Sequence, residues 1–155
     1  MKTIGRWSLT VGRRYRIQIV CLLLTASCQL GCRIPILESP ECYASRDAVK
    51  RFYSFHFGND MKPSPENLEA RKGYLTDELA TQLQSSTAGT RDYFTNSEHY
   101  PKAFQVGSCK QDSPDKTEVT ILLYWRENEQ NQQREVTAEM LKTGDKWLID
   151  KVTGN

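Results

Sequence analysis

Residues 117–152 limit the fold more than any other stretch, because strand periodicity recurs there three times between turn signals. In Thr117–Trp125 the residues Val119, Ile121, Leu123 and Trp125 fall on one face, and Thr120, Leu122 and Tyr124 on the other. The run is β-branched and aromatic, which suits a pleated, half-buried surface. A polar break over 127–134 follows, and Glu135–Leu141 then alternates again. Thr143-Gly144-Asp145 forms a tight turn, and Lys146–Val152 closes an antiparallel meander of three strands. Ala103–Lys110 is expected to add a fourth.

Helical signals come before the sheet. Residues 29–40, with Ile34-Pro35-Ile36 and Ser39-Pro40, read as an extended tether. A first helix is expected from Ser45, with Asp47 in its first turn and Val49, Phe52, Tyr53 and His56 on one apolar face. Gly58-Asn59-Asp60 ends it. Ser64-Pro65-Glu66 starts a short second helix that stops near Gly73. Thr76 caps a third, with Leu79 and Leu83 on its buried stripe. Residues 85–100 are rich in Ser, Thr, Gly and Asn, yet carry Tyr93, Phe94 and Tyr100. They read as a long loop laid across the domain, either sealing the core or bordering a site. Helices followed by a meander make the fold class α+β.

The N-terminus reads as an export address. Lys2, Arg6, Arg13, Arg14 and Arg16 precede a short apolar run, Ile17–Leu24, broken only by Gln18. That run is shorter than the roughly 20 residues a bilayer core requires. The expected organisation is a signal over residues 1–27, a tether over 28–41 and one α+β domain over 42–155. Of 21 lysines and arginines, five lie in the signal, which leaves 16 against 19 acids. The domain is therefore slightly acidic, which argues against nucleic acid as a partner. No GxSxG, P-loop or HExxH pattern is present, no cysteine pair has CxxC spacing and neither histidine has a nearby partner at zinc-ligand spacing, so neither a metal nor a cofactor is expected.

Leu24-Thr25-Ala26-Ser27-Cys28 resembles the lipobox of bacterial lipoproteins, although Thr25 stands where leucine is usual. The resemblance implies a diacylglycerol on the Cys28 thiol and a membrane-anchored location in the cell envelope, at the periplasmic face. Cys32 is the competing site, and cleavage near Ala26 to a soluble form is a third. After removal of Cys21 and lipidation of Cys28, Cys32, Cys42 and Cys109 remain, and Cys42–Cys109 is the preferred disulfide in an oxidising compartment.

Three segments carry a second resemblance: Ala48–Tyr53, Tyr74–Leu79 and the ending Gly144–Val152. With helices first and a meander last, residues 42–152 are similar to the nuclear transport factor 2-like superfamily, in its secreted and lipoprotein branch. That resemblance implies a bent sheet wrapped around helices as a cone with a pocket. Tyr53, His56, Tyr93, Trp125 and Trp147 are candidate pocket residues; His99 is expected to be exposed. Two functions follow: a noncatalytic binding domain for a small apolar ligand or an envelope protein, which the sequence favours, or a cone-pocket enzyme of isomerase or dehydratase type with His56 or Asp92 as base.

Overall fold

The computed structural model describes residues 38–154, apart from 87–89 and 128–129. The signal, the Cys28 and Cys32 lipidation sites and most of the tether lie outside them. Among the described residues, three helices and a short 3₁₀ turn precede a four-stranded antiparallel sheet of order β1-β2-β3-β4. The helices are α1 (Pro40–Phe57), α2 (Pro65–Arg71) and α3 (Asp77–Ser85), with the 3₁₀ turn at Lys72–Tyr74. The strands are β1 (Ala103–Ser113), β2 (Lys116–Glu127), β3 (Gln130–Thr143) and β4 (Lys146–Gly154). The α+β class and the meander are as expected. No helix among the described residues is long and apolar enough to cross a membrane.

Each helix starts where a hydroxyl can accept an orphan amide. Ser64 Oγ accepts from Asn67 N, and Thr76 Oγ1 from Leu79 N, as the sequence predicts for α2 and α3. The first helix differs. It begins at Pro40 rather than at Ser45, because Ser39 Oγ accepts from Cys42 N and proline occupies the favoured first position. The expected tether thus loses its last two residues to the helix. Ser45 is instead fully buried, with its Oγ 2.5 Å from Thr117 Oγ1 on the sheet.

Two bulges set which side chains face inward. In β1, Val106 pairs with Ile121 and Cys109 with Val119, so Gly107 and Ser108 together oppose Thr120. A Cβ at Gly107 would lie 3.2 Å from the Thr120 carbonyl oxygen, which favours glycine there. In β4, Val152 pairs with Ala138 and Ile149 with Met140, with a register shift between them that brings both side chains inside. Val119, Ile121, Leu123 and Trp125 are buried on the same face. They meet Val49, Phe52 and Tyr53 of α1, each at 0 % exposure. Full burial of such side chains stabilises by about 1.5–3 kcal/mol each. The region read as a polar break over 127–134 is mostly strand, since β2 and β3 stay in register out to Glu127 and Gln130. Ladder bonds need no apolar side chains, so polarity there accompanies paired strands whose residues 131–134 face solvent.

The Cys42–Cys109 disulfide is present, with Cα atoms 5.7 Å apart. It joins the first turn of α1 to the residue after the β1 bulge. Glu38 lies within 4.8 Å of both sulfurs, but these are committed to one another.

Candidate functional site

His56 and Asp92 lie 36 positions apart in the chain and meet in the interior, with His56 Nε2 3.0 Å from Asp92 Oδ2. His56 is 1 % exposed and Asp92 3 %. Helical periodicity brings His56 inward from the last turn of α1, where its ring stacks on Phe52 at 5.6 Å. Asp92 is placed by its own loop. Its Oδ2 accepts from Thr95 N at 3.0 Å and Thr95 Oγ1 at 2.6 Å, the side-chain-to-backbone pattern that bends a chain after aspartate. Asp92 N donates to Ser97 O, closing the turn, and Asn96 takes a positive φ of 48° within it.

Arg71, at the end of α2, is the third member, and it was not among the sequence candidates. It is 3 % exposed. Its Nε donates to His56 Nδ1 at 2.8 Å, Nη1 to Asn67 O at 2.6 Å and Nη2 to Asp60 O at 2.7 Å. A basic residue in the last turn of a helix ordinarily reads as a solvated partner of the helix dipole. Only the three-dimensional meeting with His56 distinguishes it.

These contacts fix the proton on histidine. The guanidinium Nε–H can only donate, so His56 Nδ1 must accept and carries no hydrogen. Nε2 therefore bears the proton and donates to Asp92. Arg71, neutral His56 and Asp92 form a chain in which a buried cation and a buried anion balance through one imidazole. Burial lowers the Arg71 pKa, and the charges of Asp92 and Asp60 offset part of that effect.

Tyr53 lies beside this chain, with its hydroxyl donating to Phe94 O at 2.8 Å. Burial, and then the charge of Asp92, raise its pKa well above the ordinary phenol value. A folded-state pKa raised above the unfolded one gives stability that is complete below about pH 10 and disappears as pH rises through the folded value. Tyr53→Phe is expected to cost about 1–3 kcal/mol at neutral pH, because it leaves the Phe94 carbonyl unpaired. The same variant should lose part of the alkaline decline, as read from urea midpoints at pH 8 and above pH 10. An unchanged alkaline slope would assign that decline to other groups.

A cavity of about 290 Å³ opens next to the chain, walled by α2, the segment before it, the 90–97 loop and the end of β4. Met61, Leu68, Phe94 and Val152 give it an apolar lining, and His56, Asp92, Arg71 and Tyr93 border it. Of the pocket candidates, His56 and Tyr93 are thus brought to it. Tyr53, Trp125 and Trp147 are not: all three are buried in the core that α1 and the sheet share. Tyr93 Oη accepts from Val152 N at 3.1 Å, holding loop to sheet. Trp125 borders a separate polar hollow with His99 and Arg134; its Nε1 donates to His99 O, and the Arg134 guanidinium lies 5.2 Å from its ring centre. His99 is exposed, as expected.

No protein-family model matches the chain. No curated protein matches its sequence. Among solved structures it is similar to the intermembrane space region of the chloroplast protein ARC6, at 11 % identity and a TM-score of 0.48 over 76 % of this chain and 98 % of that one. A protein of unknown function from Bacteroides thetaiotaomicron gives 15 % identity and a TM-score of 0.43, over 86 % and 98 %. A designed NTF2-like protein gives 12 % and 0.31, over 74 % and 92 %. These are loose likenesses of shape, and none lends its activity to this chain.

Proposed function

We propose that this chain is an exported, lipid-anchored binding domain of nuclear transport factor 2-like type, and that its cavity receives a ligand without acting on it chemically. The observation that carries the noncatalytic part is the occupancy of His56. Its lone pair is held by Arg71 and its proton by Asp92, so the best-placed base in the chain has no free nitrogen. Asp92 is likewise engaged by Thr95 and His56. The cavity supports binding because apolar walls bordered by a few fixed polar groups are what ligand sites share. The Cys42–Cys109 bridge is compatible with export. The anchor rests on the N-terminal signal and the lipobox at Cys28, with Cys32 as the other site.

Two measurements test the proposal. Nitrogen NMR of the His56 ring should show a single tautomer with the proton on Nε2 and none on Nδ1. A ring with Nε2 unprotonated, or exchanging between tautomers, would turn the assignment toward a proton-transfer enzyme with His56 or Asp92 as base. Peptide mass spectrometry of the membrane fraction should find a lipid-modified peptide beginning at Cys28. An intact Met1 terminus would overturn both export and anchor.

A further inference from the structure

Among the charged side chains bordering the cavity, three are cationic, Lys62, Arg71 and Arg91, and one is anionic, Asp92. This excess of positive charge sits in a domain that is acidic elsewhere, with 15 lysines and arginines against 19 acids from residue 38 onward. Asp92 is already balanced by Arg71 through His56, and Asp60, whose Oδ1 accepts from Lys62 N at 3.0 Å, is not part of the lining, which leaves Lys62 and Arg91 as the exposed cations of the mouth. Both are exposed, and neither belongs to a salt bridge among the described residues. Arg91 makes one long hydrogen bond, 3.3 Å, to Asn96 Oδ1. Behind these cations the wall is apolar: Leu68 and Val152 are each 8 % exposed, with Met61 and Phe94 beside them. An apolar interior under a cationic mouth is complementary to one chemical class.

We infer that the cavity takes a small monoanionic amphiphile, a carboxylate on an apolar chain, with the chain against Leu68 and Val152 and the carboxylate between Lys62 and Arg91. The inference rests on the binding function proposed above and names its ligand class. At about 290 Å³ the cavity is at the small end of ligand sites, which run to roughly 300–1,000 Å³, so one short chain fits and the two chains of a membrane lipid do not. Attraction between exposed charges weakens with added salt, since screening reaches about 10 Å at 0.1 M ionic strength.

The test compares decanoate, decanol and decylamine, three probes of equal chain length, titrated below their aggregation limits into the full-length protein. Binding is followed by the amide shifts of Phe94 and Val152. Decanoate should bind most tightly, decylamine least, and salt should weaken decanoate alone. Lys62→Gln with Arg91→Gln, at two exposed positions, should weaken decanoate about tenfold and leave decanol unchanged. Equal affinities for all three probes would overturn the anionic preference while sustaining a binding pocket. Absence of shifts with every probe would overturn the binding function itself. Vesicles of phosphatidylglycerol that shift the same amides as strongly as decanoate would show that a lipid headgroup, and not a free carboxylate chain, is recognised, and would also overturn the inference.

Discussion

Asp92→Ala is expected to lower the unfolding free energy by about 3–5 kcal/mol, the usual cost of removing one partner from a buried ionic pair. The variant removes the acceptor of His56 Nε2 and of both Thr95 donors, and leaves Arg71 a buried cation without its anion. Domains of this size are stable by about 5–15 kcal/mol in total, so the loss is a large fraction. Urea unfolding measures it directly. A cycle with Arg71→Met separates the pair from its surroundings. If charge balance across His56 is the cause, the double variant should cost less than the sum of the singles, by about 0.5–3 kcal/mol. Additive costs would mean that Arg71 and Asp92 act independently. A loss below about 1 kcal/mol would mean that water reaches the carboxylate.

Reducing the disulfide should have a comparable effect for a different reason. The bridge spans 67 positions, and closing a loop of that length restricts the unfolded chain by roughly 4 kcal/mol. The wild type with reductant, and Cys42→Ala with Cys109→Ala without it, should show nearly the same lowered urea midpoint. Identical midpoints with and without reductant in the wild type would show that the bridge contributes nothing. The effect should fall most heavily on the contact of α1 with β1, which the bridge crosses.

The elements of this fold were legible where a pattern is local. Alternation in Val119–Trp125 located β2, and the hydroxyl residues Ser64 and Thr76 located two helix starts. Ser39-Pro40 carries the same signature as Ser64-Pro65, but upstream Pro35 made the segment read as a tether, and the start of α1 moved to Ser45. The reach of β2 to Glu127 and of β3 back to Gln130 was hidden because ladder bonding leaves no trace in side-chain polarity. At the site, His56 and Asp92 were legible as residues but not as partners. Their meeting depends on where a 92–97 turn lays its first residue, which no spacing rule gives. Arg71 was not legible at all, since burial of a helix-terminal arginine is decided by Asn67 O, Asp60 O and the imidazole that happen to surround it. Redox context favours the pairing of Cys42 with Cys109. Its geometry depends on a bulge, for simple alternation from Val106 would turn Cys109 outward.

The 18 residues of α1 also set a distance. At 1.5 Å per residue the helix is about 27 Å long. Ser39 and the disulfide are at one end of it; His56 and the cavity are at the other. A bead, fluorophore or fusion partner coupled at the Ser39 end therefore leaves the mouth unobstructed, whereas one placed after Gly154, which borders the cavity, would crowd it. Immobilised assays of this protein should be built from the N-terminal side.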